Sequence, residues 1–287
     1  MQKYRKIYLL VLLCMLPSIY ACSQSGRKKD TKQKTAAVPA QTVTPINTSA
    51  KMKVEIWSDI MCPFCYIGKR HFESALREFA DSAQLEIEWK SFQLDPDIPK
   101  QTQPVNVYQY LADRKGMSLQ QSQKMHQNVV QMAKEAGLTY NFDKTVVANS
   151  YNAHRLIQLA KKNKLGDEAE EVLFRSYFTD GADLNNAETL RTLGKSIGLK
   201  EEELDTLFAS DAYAYEVNQD ILEARNIGVT GVPFFVFNRK YAVSGAQPSG
   251  AFLDVLKKSF SEWKKDNPSF KMETSEGPSC TPEGACD

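Results

Sequence analysis

Histidine is scarce in this sequence. His71, His126 and His154 are the only three, and none stands at ligand spacing from another or from a cysteine. Zinc wants four closely spaced ligands, so no metal is expected. A surplus of one charge is also missing. Thirty-six Lys and Arg stand against 35 Asp and Glu, a net charge of +1, without the basic stripe that duplex nucleic acid demands. Nucleic acid is therefore not an expected partner. The apolar run from Ile7 to Leu16 falls short of the roughly 20 residues that a membrane-spanning helix takes. No internal repeat is visible. The 287 residues suffice for one large domain or two small ones.

What the sequence does contain begins at its N-terminus. Lys3, Arg5 and Lys6 precede the apolar run, which has the length of a secretory h-region. The segment Ile19-Tyr20-Ala21-Cys22 resembles the lipobox of bacterial lipoproteins, whose Cys becomes the lipidated first residue. Residues 1–21 are thus expected to be a signal peptide and Cys22 a lipidation site. An ordinary signal with an incidental Cys22 is the alternative, and export follows either way. Residues 22–51 are rich in Ser, Lys, Gln, Thr, Ala and Pro and nearly free of large apolar side chains. Such a stretch cannot offset its ordering entropy by burial, so it reads as a flexible tether. The expected place is the cell envelope, anchored by lipid and facing the periplasm, a compartment that permits stable disulfides.

Six cysteines are present. Cys14 lies in the expected signal and Cys22 at the lipid site. Four remain in two local pairs, Cys62/Cys65 and Cys280/Cys286, with no odd thiol left over.

The folded part is expected from residue 52. Val54 and Ile56 alternate with Glu55 and Trp57 as in a strand, and Cys62-Pro63-Phe64-Cys65 follows almost at once. Pro63 suits the first turn of a helix, whose stripe is Phe72, Ala75, Leu76 and Phe79. Leu85 to Trp89 alternates again. Residues 104–227 then turn helical, with stripes at Met125/Val129/Met132/Ala133, Ala153/Leu156/Ile157/Ala160 and Ala169/Val172/Leu173. Strands return with Phe234–Phe237, apolar on both faces as a central strand is, and Lys240–Val243. A last helix carries Phe252, Leu256, Phe260 and Trp263. The order β–α–β, helical block, β–β–α is a thioredoxin-like fold interrupted by an inserted all-helical domain. Its two parts are expected at 52–103 and 228–266, with a flexible tail at 267–287.

A CxxC pair alone is ambiguous between redox chemistry, half of a zinc site and coincidence. Position favours redox. A strand feeding CxxC into a helix sets Cys62 at the helix N-terminus, where unpaired N–H groups and the helix dipole favour an anion, and a thiolate is the species that attacks disulfides. Cys65, one turn inside, suits a resolving thiol. Asp59 is placed to cap this helix or to shuttle a proton from Cys65. His154 and Arg155 read as structural hydrogen-bonding residues, and Met125 and Met132 as core.

Residues 53–70, KVEIWSDIMCPFCYIGKR, together with Gly228-Val-Thr-Gly-Val-Pro and Tyr241-Ala-Val-Ser-Gly-Ala-Gln-Pro, resemble the FrnE-like branch of the DsbA family. Ala153–Leu156 and Tyr177–Gly181 resemble it too. The resemblance implies dithiol–disulfide exchange with protein thiols and disulfides, without a cofactor. Cys62 would be the nucleophile and Cys65 the resolving thiol. Thr230, Val232 and Pro233 would form a substrate-docking loop whose proline is cis, with the Val232 backbone left free to pair with an extended substrate. Cys280 and Cys286 would be either a local bridge or a second redox pair. Two departures stand out: members of that branch are often cytoplasmic, and Phe64 stands where strongly oxidising relatives carry His. Two other functions compete. One is the glutathione-dependent aromatic-carboxylate isomerase of the same fold, which uses Ser at the position of Cys62. The other is a lipid-tethered chaperone or binding protein with structural cysteines.

Overall fold

The computed structural model describes residues 50–99 and 104–268. The expected signal peptide, Cys22 and the tail pair Cys280/Cys286 lie outside them.

Strand β1 (Met52–Ser58) leads through a short loop into helix α1 (Pro63–Glu78), and β2 (Leu85–Ser91) follows. Helices α2 (Val107–Lys115), α3 (Leu119–Glu135), α4 (Tyr151–Lys162), α5 (Gly166–Arg175), α6 (Ala187–Ser196), α7 (Glu201–Ala209) and α8 (Ala214–Asn226) come next. The chain closes with β3 (Phe234–Phe237), β4 (Tyr241–Ser244) and α9 (Ser249–Asp266). The sheet order is β2-β1-β3-β4. β1 runs parallel to β2 and antiparallel to β3, with Ile56 opposite Phe235, and β3 pairs antiparallel with β4. This is a DsbA-like thioredoxin fold with a helical block between β2 and β3. The β3–β4 turn uses positive φ at both Asn238 and Arg239 (50° and 53°), a conformation that Asn tolerates better than most residues.

α1 joins two cores. Its C-terminal half puts Phe72, Ala75 and Phe79 against the sheet and α9, among Ile56, Phe235, Phe252 and Phe260. Its N-terminal half, Cys62 to Ile67, belongs to the helical core with Leu156, Leu173, Phe174 and Phe178. A charged cluster clamps the same helix sideways. Lys69 is 2% exposed and reaches Glu73, Asp167 at 3.1 Å and Glu171 at 3.2 Å. With three carboxylates around it the ammonium is not left as an unpaired buried charge.

One expectation fails here, and one expected helix is built in an unexpected way. α8 carries no long apolar stripe, because its buried face is Val217, Asp220 and Ala224. Asp220 earns that burial by accepting from Ser91 N at 2.9 Å and Gln158 Nε2 at 2.6 Å. Met125 and Met132 are not core either: they are 48% and 41% exposed.

Candidate active site

Cys62 is the N-cap residue of α1, with extended backbone (φ −88°, ψ 110°). Its N–H donates to Asp59 O at 2.9 Å, and Cys65 N–H donates to Cys62 O at 3.0 Å. The cysteines are thus one tight turn apart, and both are free thiols. The local cause is in the sequence: Pro63 enters the first helical turn with no N–H to satisfy, so the chain bends directly from strand to helix.

Opposite this turn lies the loop before β3, where the Val232–Pro233 peptide bond is cis. The Cys62 thiol donates to the Val232 carbonyl at 3.4 Å. The expectation of a free Val232 backbone is therefore corrected, since in the dithiol state its carbonyl is engaged by the nucleophile itself. Thr230, the third loop residue singled out in the sequence, is exposed. The close approach of loop and helix depends on Gly68. A Cβ built there would meet Pro233 Cγ at 2.9 Å, with Ala246 Cα at 3.5 Å on another side.

Neither cysteine is an exposed thiol: Cys62 is 3% and Cys65 1% exposed. Cys62 instead opens into an apolar cavity of about 420 Å³, lined by Phe64, Met125, His126, Phe142, Phe178 and Val232 among others. The His126 imidazole donates from Nδ1 to Ser122 O at 2.9 Å, and burial lowers its pKa. The short π-helical turn Ser176–Asp180 after α5 sets Tyr177 and Phe178 in the cavity wall. Tyr140 stacks on Phe178 at 4.7 Å and donates its hydroxyl to Pro63 O at 2.7 Å, so the helical block touches the CxxC turn directly.

Cys65 has the opposite surroundings. Burial pushes its thiol pKa well above the ordinary value, and the neighbouring Cys62 sulfur pushes it the same way. The Ser58 hydroxyl and the Asp59 backbone oppose this by hydrogen-bonding to the sulfur.

Asp59 does not cap α1, which has no side-chain cap at all. Its Oδ1 accepts from Met61 N at 3.2 Å and its Oδ2 from Leu94 N at 2.7 Å. The carboxylate thereby ties the CxxC loop to the segment after β2. His154 Nε2 lies 3.6 Å from Asp59 Oδ1, but both its ring nitrogens are buried without a hydrogen-bond partner among the described residues. The structural hydrogen bond expected of it is not made. Arg155 does act structurally, donating to Ala212 O at 2.8 Å and Leu207 O at 2.5 Å.

Sequence reasoning missed Glu170. It is 1% exposed, and burial raises its carboxyl pKa to about 8. The Ser58 hydroxyl lies 3.5 Å from its Oε2. One signal was available: residue 170 stands three and four places before the buried Leu173 and Phe174, so a carboxylate occupies the inner stripe of an amphipathic helix. No group of metal-binding side chains occurs among the described residues.

With this geometry in view, the likenesses to known proteins are specific. The profile of the DSBA-like thioredoxin domain matches residues 53–257. A crystal structure from Streptomyces coelicolor, described as a probable DsbA oxidoreductase, shares 36% identity and a TM-score of 0.70. It covers 82% of this chain, which in turn covers 98% of it. The uncharacterised protein YwbO of Bacillus subtilis is 26% identical over 216 residues, 74% of this chain and 97% of that one. A 2-hydroxychromene-2-carboxylate isomerase shares the fold at 15% identity and a TM-score of 0.53, with 77% and 100% covered.

Proposed function

Because this chain belongs to the family of DSBA-like thioredoxin domains, we propose that it is a thiol–disulfide oxidoreductase acting on protein substrates through Cys62 and Cys65. One observation carries the reading: a helix-N-terminal thiol, held on the Val232 carbonyl and opening onto an apolar cavity, with a second thiol buried one turn beneath it.

The chemistry follows from this arrangement. Cys62 sits at the N-terminus of α1, and its thiolate is the species that attacks. That thiolate attacks a substrate disulfide in line, giving a mixed disulfide and a substrate thiolate that takes a proton from water. Cys65 then attacks Cys62 Sγ, closing the internal disulfide and releasing the second substrate thiolate. Every step runs equally in reverse, so the same site passes a disulfide in whichever direction the partner's potential dictates. Burial holds Cys65 as a thiol until the mixed disulfide forms, which separates attack from resolution. The cavity suits an apolar side chain beside the substrate's cysteine, so extended segments with apolar residues next to a disulfide are the preferred class.

The isomerase reading would place a small aromatic carboxylate in the same cavity. Cys65 has no task in that chemistry, and the buried second thiol favours exchange. The proposed setting is the cell envelope, with the enzyme exported and held by lipid at Cys22. Mass spectrometry of the mature N-terminus tests it, and an unmodified start elsewhere rejects the anchor.

The activity is tested by reduction of insulin and refolding of scrambled ribonuclease. Cys62→Ser is expected to abolish both, and Cys65→Ser to accumulate mixed disulfides visible by mass spectrometry. A wild-type protein inert in both assays, or a Cys65→Ser protein with full turnover, refutes the reading.

A further inference from the structure

The cavity beside Cys62 carries more chemistry than the exchange of sulfur bonds uses. Its walls are largely aromatic, with Phe64, Tyr110, Phe142, Tyr177 and Phe178 among the lining residues. Such walls favour an aromatic guest, whose ring can stack on some of them and meet others edge-on. A second observation narrows the guest further. His126 lines the same cavity, and its Nδ1 lies 2.9 Å from the Ser122 carbonyl. A carbonyl only accepts, so Nδ1 carries the ring proton. Burial lowers the pKa of the ring, which keeps the imidazole neutral at about pH 7 and leaves Nε2 a bare lone pair. Among the described residues no group donates to that nitrogen, and it is not sealed in as both ring nitrogens of His154 are.

The imidazole is also held in place. Besides the bond to Ser122, it meets Tyr108 edge-on at 4.9 Å and Phe142 edge-on at 4.6 Å. The other polar groups of the cavity are served already or make no one-sided demand. The Cys62 thiol donates to the Val232 carbonyl. Asp95 accepts from Tyr110 and from Asp97 N at 3.2 Å, and it pairs with Arg114 at 2.8 Å. The Tyr177 hydroxyl can give or take a hydrogen bond. His126 Nε2 can only take one, so a guest that fills the cavity without a donor leaves it unsatisfied.

We propose that this cavity takes a tyrosine side chain next to the substrate's disulfide-bonded cysteine, with the phenol O–H donating to His126 Nε2. This preference rests on the reading that Cys62 exchanges disulfides with protein substrates. Phenylalanine offers the same ring without a donor, and serine or threonine a donor without the ring. Tryptophan carries its N–H on the flank of a larger ring system. Tyrosine carries its O–H at the tip, farthest from the backbone, so the donor enters the cavity while the peptide stays extended beside Cys62 and Val232. His126 acts on specificity and takes no part in the sulfur chemistry.

The test uses the full chain in its dithiol form and three peptides, each a mixed disulfide with an aryl thiol that is coloured once released. They carry tyrosine, phenylalanine or O-methyltyrosine beside the cysteine and are otherwise identical. Each is made with that residue before and after the cysteine, and the preference is expected in one of the two orders. There the tyrosine peptide should react about ten-fold faster than either of the others, since O-methyltyrosine keeps the ring and oxygen but has no O–H to give. Equal rates for tyrosine and phenylalanine in both orders overturn the proposal. So does an O-methyltyrosine peptide as fast as the tyrosine one. His126→Phe is expected to bring the tyrosine-to-phenylalanine ratio down to about one, and a ratio that persists in the folded variant overturns the role of His126. If that variant fails to fold, the comparison of peptides on the wild type decides alone. S-methylated forms of the same peptides, which cannot exchange, are ranked by calorimetry. If no disulfide peptide reacts yet the tyrosine form binds tightest, the exchange reading fails and the preference stands. Equal or unmeasurable affinities reject the preference itself.

Discussion

Replacing Gly68 by Ala tests how closely the loop before β3 must approach α1. Alanine favours a helix interior over glycine by about 1 kcal/mol, so helix propensity alone predicts stabilisation. The geometry predicts otherwise. The added methyl would sit 2.9 Å from Pro233 Cγ, and ordinary contact begins near 3.4 Å, so one side must retreat by about half an ångström. α1 cannot yield easily, because Ala246 Cα and Cβ lie 3.5 and 3.6 Å from the same point and the sheet and α9 hold its far end. The proline loop therefore moves. Overpacking of this kind costs about 1–3 kcal/mol, so the net change is a loss of up to about 2 kcal/mol. That corresponds to a melting temperature lower by up to about 6 °C for a domain of this size. The functional effect should be larger than the structural one. The Cys62 Sγ to Val232 O distance, now 3.4 Å, would open by a similar half ångström. Since about 1 Å of misplacement costs about a hundred-fold, exchange with a peptide disulfide should slow about ten-fold. Stopped-flow tryptophan fluorescence measures the rate, and calorimetry the melt. Gly250→Ala is the control, because a Cβ there meets nothing within 4 Å and should leave exchange untouched. A Gly68→Ala protein that melts higher and exchanges at the wild-type rate would refute the argument.

Two further outcomes follow. The folded Glu170 carboxyl titrates near 8 rather than 4.5 because of burial, so between those values the folded chain holds a proton that the unfolded chain has lost. Stability contributed by the protonated group is therefore full below about pH 4.5 and falls as pH rises towards 8, at most about 1.4 kcal/mol per unit. Urea melts of wild type against Glu170→Gln should show that slope in the wild type alone, and parallel curves would contradict the burial argument. For the tail, Cys280→Ser with Cys286→Ser should leave the melt nearly unchanged yet alter the oxidation rate of Cys62, if the pair exchanges with it. Equal rates in wild type and double variant would retire the relay to the tail.

The thioredoxin-like frame was legible because its signals are local. Alternation marks β1 and β2, four consecutive aromatic or β-branched residues mark β3, and the Asn238-Arg239 turn fixes the hairpin to β4. The redox turn was legible for the same reason, being four consecutive residues at a strand–helix junction. The rest depends on partners far apart in sequence. α8 hides because Asp220 replaces an apolar anchor, and its compensation comes from Ser91 and Gln158. Asp59 looks like a cap by position, yet its second oxygen finds Leu94, 35 residues on. Met125 and Met132 share a helical period with core residues but stay half-exposed, Met125 on the cavity beside Cys62, since periodicity defines a stripe and not what covers it. Glu170 meets Ser58 across 112 residues, a contact no spacing rule anticipates.

The bond from the Cys62 thiol to the Val232 carbonyl has a consequence for the order in which partners come and go. A thiol carries the proton that makes this bond; a sulfur in a disulfide carries none. In the dithiol protein the carbonyl is occupied from within, and on oxidation the same acceptor is released towards the cavity. On the proposed function, an extended peptide with a backbone N–H to place would share that acceptor with the thiol before oxidation and have it alone afterwards, since a carbonyl oxygen carries two lone pairs. Were the protein to give its disulfide away, its own thiol would return to the acceptor and compete with the peptide's hydrogen bond there. Affinity for such a peptide would then be higher in the disulfide form than in the dithiol form, and the spent partner would be the looser one.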